Sequence, residues 1–197
     1  MVRAALVLVL AACGARERTV RHDSAQADAG VPVQPPSSAA VAAAHGARMS
    51  PHQFVERFYD WYVPRAGQSG AQPAWTSALS VRAADLNPDL ARALREDADA
   101  QAHAAGEIVG IDADPFLGGQ DPCERYEVGA ARPDAAGYAV EVYGVCGGKR
   151  HDAPDVVAEI AAVGDSWQFV NFRYPAVHSD LRRALQQARD DRGAAVR

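Results

Sequence analysis

Four polar side chains that could do chemistry lie close together in the middle of this chain: Asp112, Asp114, Gln120 and Asp121. Neighbouring carboxylates can share a proton, act as general acid or base, or hold calcium through oxygen ligands. Calcium-loop spacing fails, because Phe116 stands where a third ligand is needed and Leu117 replaces the turn glycine. A structural reading competes: Asp112 or Asp114 caps a turn before Pro115, Phe116 anchors that turn in the core, and Asp121-Pro122 is turn chemistry as well. Tyr59, Trp61, Tyr62 and Tyr143 could line a pocket for an apolar or carbohydrate ligand, with core packing as the alternative. Asn171 and Arg173 share one face of an expected strand. They either form a polar patch inside a concavity or meet solvent or a carboxylate.

No catalytic signature accompanies these residues. Gly67-Gln68-Ser69-Gly70-Ala71 departs from the nucleophile-elbow pattern at its last position and follows no strand. Phosphate loop, dinucleotide fingerprint and zinc-protease pair are missing from the sequence, and the six histidines are scattered. No catalytic residue is assigned, and neither a cofactor nor a metal is expected. Lys and Arg number 20 against 25 Asp and Glu, for a net charge of −5, which disfavours binding to a nucleic-acid backbone.

Three cysteines remain to be placed, and the first sets the compartment. Arg3 supplies a positive start, Ala4 to Ala12 an unbroken apolar run, and Leu10-Ala11-Ala12-Cys13 has the form of a lipobox. Small residues before the cut suit a narrow protease subsite, and the thiol can accept diacylglycerol as a thioether. The run is shorter than the roughly 20 residues that span a bilayer. An ordinary secretory leader with an incidental cysteine is the alternative. Lipidated at Cys13, the chain would be held at a membrane by its acyl chains. Gly14, rather than Asp, follows the cysteine. In enteric-type bacteria that favours the outer membrane, inner leaflet, facing the periplasm. Cys123 and Cys146, in an exported chain, are expected to pair, since they fall at the start of one strand and the end of the next. A zinc site would need two further ligands, and His151 alone is near in sequence.

These groups need elements to position them. Residues 1–12 read as a leader and 13–48 as the lipidated cysteine and a disordered tether of Ala, Ser, Gln and Pro, too poor in large apolar side chains to offset ordering entropy. One domain is expected over 49–187, with a frayed end over 188–197. Ser50-Pro51-His52-Gln53 has the form of a helix start with a capping box, and Phe54, Phe58 and Trp61 or Tyr62 recur at helical spacing until Pro64 stops the helix. A short helix is expected over 75–81. Asn87-Pro88 begins another, with Leu90, Leu94 and Ala98 on one face, ending near Gly106. The period then falls to two, and four strands are expected over 125–132, 138–146, 155–163 and 167–174, joined as an antiparallel meander. A terminal helix over 179–189 completes an α+β fold with N-terminal helices on one face of a curved four-stranded antiparallel sheet, cone-like, with room for a pocket.

Phe58-Tyr59-Asp60-Trp61-Tyr62, Ile111-Asp112-Ala113-Asp114-Pro115-Phe116-Leu117 through Gln120-Asp121, and Gly164-Asp165-Ser166-Trp167 with Val170-Asn171-Phe172-Arg173-Tyr174-Pro175 together resemble the bacterial domain of unknown function 3828, over about 49–185. That resemblance implies a small envelope protein, often a lipoprotein, with a nuclear-transport-factor-2-like or cystatin-like fold. It implies no activity and no catalytic residues. The expected roles are therefore a tethered domain that binds an envelope protein or small ligand, an isomerase- or hydrolase-like enzyme with a pocket aspartate, or a structural envelope protein.

Overall fold

The computed structural model describes residues 49–68, 73–104, 109–135 and 137–195. Cys13 and the expected leader and tether lie outside the described residues, as do parts of the two expected connections, 69–72 and 105–108.

Helix α1 spans Pro51–Ala66 and begins as its sequence dictates. The Ser50 hydroxyl accepts from the Gln53 amide at 3.2 Å, and the Gln53 side chain accepts from the Ser50 amide at 3.1 Å, which satisfies two of the amides a helix start leaves open. Pro64 does not end it. So close to the C-terminus its missing N–H costs one intrahelical bond, and the turn closes through the Gly67 amide on the Val63 carbonyl. Helices α2 (Ala74–Val81) and α3 (Pro88–His103) follow, the latter capped by Asn87, whose side-chain oxygen accepts from the Asp89 and Leu90 amides.

The sheet holds β1 (Arg125–Asp134), β2 (Gly137–Cys146), β3 (Lys149–Arg150), β4 (Val156–Val163), β5 (Ser166–Tyr174) and β6 (Ser179–Asp180). Every strand pairing is antiparallel, in the order β1-β2-β4-β5-β6, with β3 folded back on the end of β2. The four expected strands form the expected meander, and the two additional strands are two-residue extensions of it. Bulges between Val128 and Ala131 and between Glu159 and Ile160 shift the register and curl the sheet. Gly129 sits in the first bulge because a Cβ there would come within 2.7 Å of the Tyr143 ring.

The hollow of this curl is filled by α1. Phe54, Phe58 and Tyr62, one turn apart, are buried against Phe169, Phe172 and Phe116, with ring centroids 4.7–5.6 Å apart, while Val140, Val142, Val156 and Ala158 form the floor. Helix α4 (Leu181–Ala195) crosses the edge of β5 and seals the core with Leu181 and Leu185. It runs past residue 187, where a frayed end is expected, because two arginines in its last turns reach back to α3: Arg189 pairs with Glu96, and Arg192 pairs with the buried Asp97 at 2.7 Å. The fold is α+β, helices on one face of a curled antiparallel sheet.

Candidate functional site

The aspartate-rich segment is not an element but a knot of backbone at the rim of the sheet, and Asp114 ties it. One carboxylate oxygen of Asp114 accepts from the amides of Phe116 (2.9 Å) and Leu117 (3.1 Å), and the other accepts from the Tyr62 hydroxyl. Its own amide donates to the Gly119 carbonyl, and its carbonyl accepts from the Gly118 amide, both at 2.9 Å. Two more phenols hold the same turn: Tyr59 donates to the Phe116 carbonyl at 2.6 Å and Tyr174 to the Pro115 carbonyl at 2.8 Å. The turn forms here because an aspartate two residues before an amide mimics a backbone turn, and because Phe116 gains the whole aromatic core by pointing inward.

Burial sets the electrostatics of the knot. It raises the Asp114 carboxyl above the ordinary carboxylate range, against the opposing pull of the Tyr62 hydroxyl and the two amides. Burial, with the Asp114 charge second, also pushes the hydroxyls of Tyr59, Tyr62 and Tyr174 far above the ordinary phenol value. Tyr126, which packs on Tyr59, is raised to about 12, chiefly by burial. These phenols are donors at any physiological pH.

The remaining candidates disperse. Asp112 is exposed, and both its carbonyl and its carboxylate accept from the Gln120 side-chain amide, at 2.9 and 2.8 Å. Asp121 is exposed. Asn171 donates to Asp180 at 3.1 Å and accepts from the Arg182 amide, so it caps the start of α4. Arg173 points to the outer face of the sheet, where Glu159 (2.8 Å) and Asp134 (3.2 Å) flank it. Tyr59 and Tyr62 are core residues, Trp61 packs against the guanidinium groups of Arg65 and Arg82, and Tyr143 lies under Arg150 with its hydroxyl on Glu141. Thus Tyr59, Tyr62 and Asp114 meet at one place, Asp112 and Gln120 pair beside it, and Asn171 and Arg173 are elsewhere.

A concavity does adjoin the knot. A groove of about 620 Å³ runs between the segment from Val109 to Gly118 and the side of α4. Val109, Ile111, Pro115, Tyr174, Leu181 and Ala188 give it apolar walls, and Asp112, Asp191 and Arg192 contribute polar groups. Arg192 is committed to Asp97 and to the Val109 carbonyl, and Asp191 accepts from Gln187. Sequence reasoning missed α4 as a wall. The signal was present in Leu181, Ala184 and Ala188, which recur at helical spacing beyond Pro175.

Cys123 and Cys146 are bonded to one another, with Cα atoms 4.7 Å apart. The disulfide fastens the segment before β1 to the end of β2. Among the described residues no helix is long and apolar enough to cross a membrane.

No protein-family model matches the chain, and no curated protein matches it in sequence. Among solved structures, a chain of the type VI native effector-immunity complex Tae3-Tai3 from Ralstonia pickettii superposes with a TM-score of 0.45 at 22% identity, covering 64% of this chain and 94% of that one.

Proposed function

We propose that this chain is an envelope lipoprotein, held by acyl chains on Cys13 at the periplasmic face of the outer membrane, whose domain binds a partner or small ligand without transforming it. The resemblance to the domain of unknown function 3828 agrees with that compartment. The observation that carries the binding reading is the groove beside α4, where apolar walls predominate and the polar groups of the neighbouring turn are occupied with one another. Such a groove favours apolar groups, since each loses water-exposed surface without stripping a polar atom of its partner.

Two measurements test the two halves of this reading. Cys13→Ser should move the chain from the membrane pellet to the soluble fraction, and mass spectrometry of the natural N-terminus should show a diacylglyceryl cysteine; an intact unacylated leader refutes the anchor. An environment-sensitive apolar fluorophore should bind the purified chain saturably, and Ala188→Trp, which fills the groove, should weaken it at least tenfold. Binding unaffected by that substitution refutes the groove.

An enzyme with Asp114 as general acid or base is the second reading, favoured by a raised carboxyl on the groove wall. It requires Asp114 to release the Tyr62 hydroxyl or two amides before it can take a substrate proton. Turnover of an apolar ester probe by the wild type that is lost in a folded, probe-binding Asp114→Asn chain would favour this reading, and no turnover by the wild type counts against it.

A further inference from the structure

We propose that the Cys123–Cys146 disulfide masks a zinc site, which opens when the bond is reduced and is completed by His151 with Asp155 behind it. From sequence, a zinc site at this cysteine pair lacks two partners. The fold supplies one of them, His151, by turning the chain after β2 back on itself, and leaves the other place to water. Two glycines, Gly147 and Gly148, take left-handed conformations with φ of +58° and +75°, β3 pairs with the end of β2, and the His151 amide donates to the Gly144 carbonyl at 2.9 Å. This return brings ligand atoms of Cys123, Cys146 and His151 within 4.8 Å of one another.

The geometry is close to what zinc requires. Tetrahedral zinc with sulfur ligands at about 2.3 Å holds them roughly 3.8 Å apart. The two sulfurs of the cleaved pair must therefore move apart from bonding distance. Cys123 is buried and Cys146 is exposed, so that movement falls on the end of β2, where the Gly147 amide must loosen its bond to the Glu124 carboxylate (3.0 Å).

Asp155 serves as the support for the histidine. Its carboxylate takes the Gly144 amide at 2.6 Å and lies 2.9 Å from Nδ1 of His151, so in the neutral tautomer that donates there Nε2 is the nitrogen left for the metal. A carboxylate behind a histidine ring is how ligating imidazoles are oriented and made more basic. Space is tight: a Cβ on Gly144 would lie 2.8 Å from the Cys123 sulfur, 3.1 Å from an Asp155 oxygen and 3.3 Å from the His151 ring, so glycine is what lets the three side chains gather. A water supplies the fourth ligand.

The chemistry balances with a phosphine as reductant. The phosphine takes the oxygen of one water to become its oxide, and that water's two hydrogens end on the two sulfurs as the S–S bond breaks. Zinc then displaces both thiol protons to solvent. A dithiol reductant does the same by forming its own disulfide.

The test uses the full chain carrying Cys13→Ser, which removes the third thiol. After phosphine reduction, titration with Co²⁺ should give one equivalent with thiolate-to-cobalt charge-transfer bands and tetrahedral ligand-field bands, both abolished by one equivalent of Zn²⁺. The oxidised chain should show neither. His151→Ala should weaken the metal at least tenfold, and Asp155→Asn should weaken it less, with circular dichroism confirming each fold. The proposal is overturned by a folded reduced chain without these bands, by equal binding of the oxidised chain, by an unchanged affinity in His151→Ala, or by a reduced chain that unfolds and is not refolded by Zn²⁺.

Discussion

Replacing Asp114 by alanine should be among the costliest single changes in this domain that removes no core apolar group. Its carboxylate satisfies three donors: the amides of Phe116 and Leu117, both residues of the core, and the hydroxyl of Tyr62. A donor left unsatisfied in the interior costs about 1–3 kcal/mol, and removing a carboxylate that is itself poorly solvated returns part of this. The net expectation is a loss of about 3 kcal/mol. With an m value of about 1.5 kcal/mol per molar in urea, the midpoint should fall by roughly 2 M at constant m. Asp114→Asn keeps an acceptor for the amides and should cost about 1 kcal/mol. The raised carboxyl adds a pH signature. The folded chain takes up this proton more readily than the unfolded chain, so the wild type loses stability as pH rises from the ordinary carboxylate value through the raised folded one, whereas Asp114→Asn does not. The stability advantage of wild type over Asp114→Asn should therefore be larger near pH 4 than at pH 7. Equilibrium urea unfolding at both pH values measures it. An Asp114→Ala chain within 0.5 kcal/mol of wild type would refute the account of the knot, and an advantage that grows with pH would refute the burial argument.

Other consequences follow from the same contacts. Phe116→Ala removes a ring packed edge-on against Phe58 and Tyr62 and should cost about 3–5 kcal/mol in the same assay. Arg192→Ala leaves the buried Asp97 charge, among the described residues, with the Ile111 amide alone, and should cost about 2 kcal/mol and speed hydrogen exchange in the last turns of α4; no change would mean that this end frays. Replacing both Cys123 and Cys146 by serine opens a loop of sequence separation 23 and should lower stability by about 3 kcal/mol on the chain-entropy account, seen as a lower midpoint in non-reducing urea titrations.

The fold was legible where local chemistry and hydrophobic period agreed. Ser50 to Gln53 specified the start of α1, Asn87 the start of α3, and the alternation along Tyr138 to Cys146 gave a strand with Val140 and Val142 inward. The disulfide followed from two cysteines at adjoining strand ends. What the sequence hid depended on partners far along the chain. Pro64 looks like a stop only if its lost bond falls mid-helix, and the terminal residues look frayed only without Asp97 beneath Arg192. The candidate site divided for the same reason. Asp114 lies over fifty residues along the chain from Tyr59 and Tyr62 yet meets them, because α1 lies in the curl directly under the turn. Asn171 and Arg173 share a strand face, as period two requires, but that face is the outer one.

The point at which the domain meets its N-terminal segment is fixed. The indole of Trp167 donates to the Met49 carbonyl at 2.7 Å, and the same indole packs edge-on against Tyr138 at the beginning of β2. Cys146 closes the other end of that strand, so at about 3.3 Å per residue the two ends lie roughly 30 Å apart. The sulfur pair and His151 therefore lie at the pole of the domain opposite Met49. A small reductant or ion would reach that pole without disturbing the clasp that Trp167 makes on the domain's first residue.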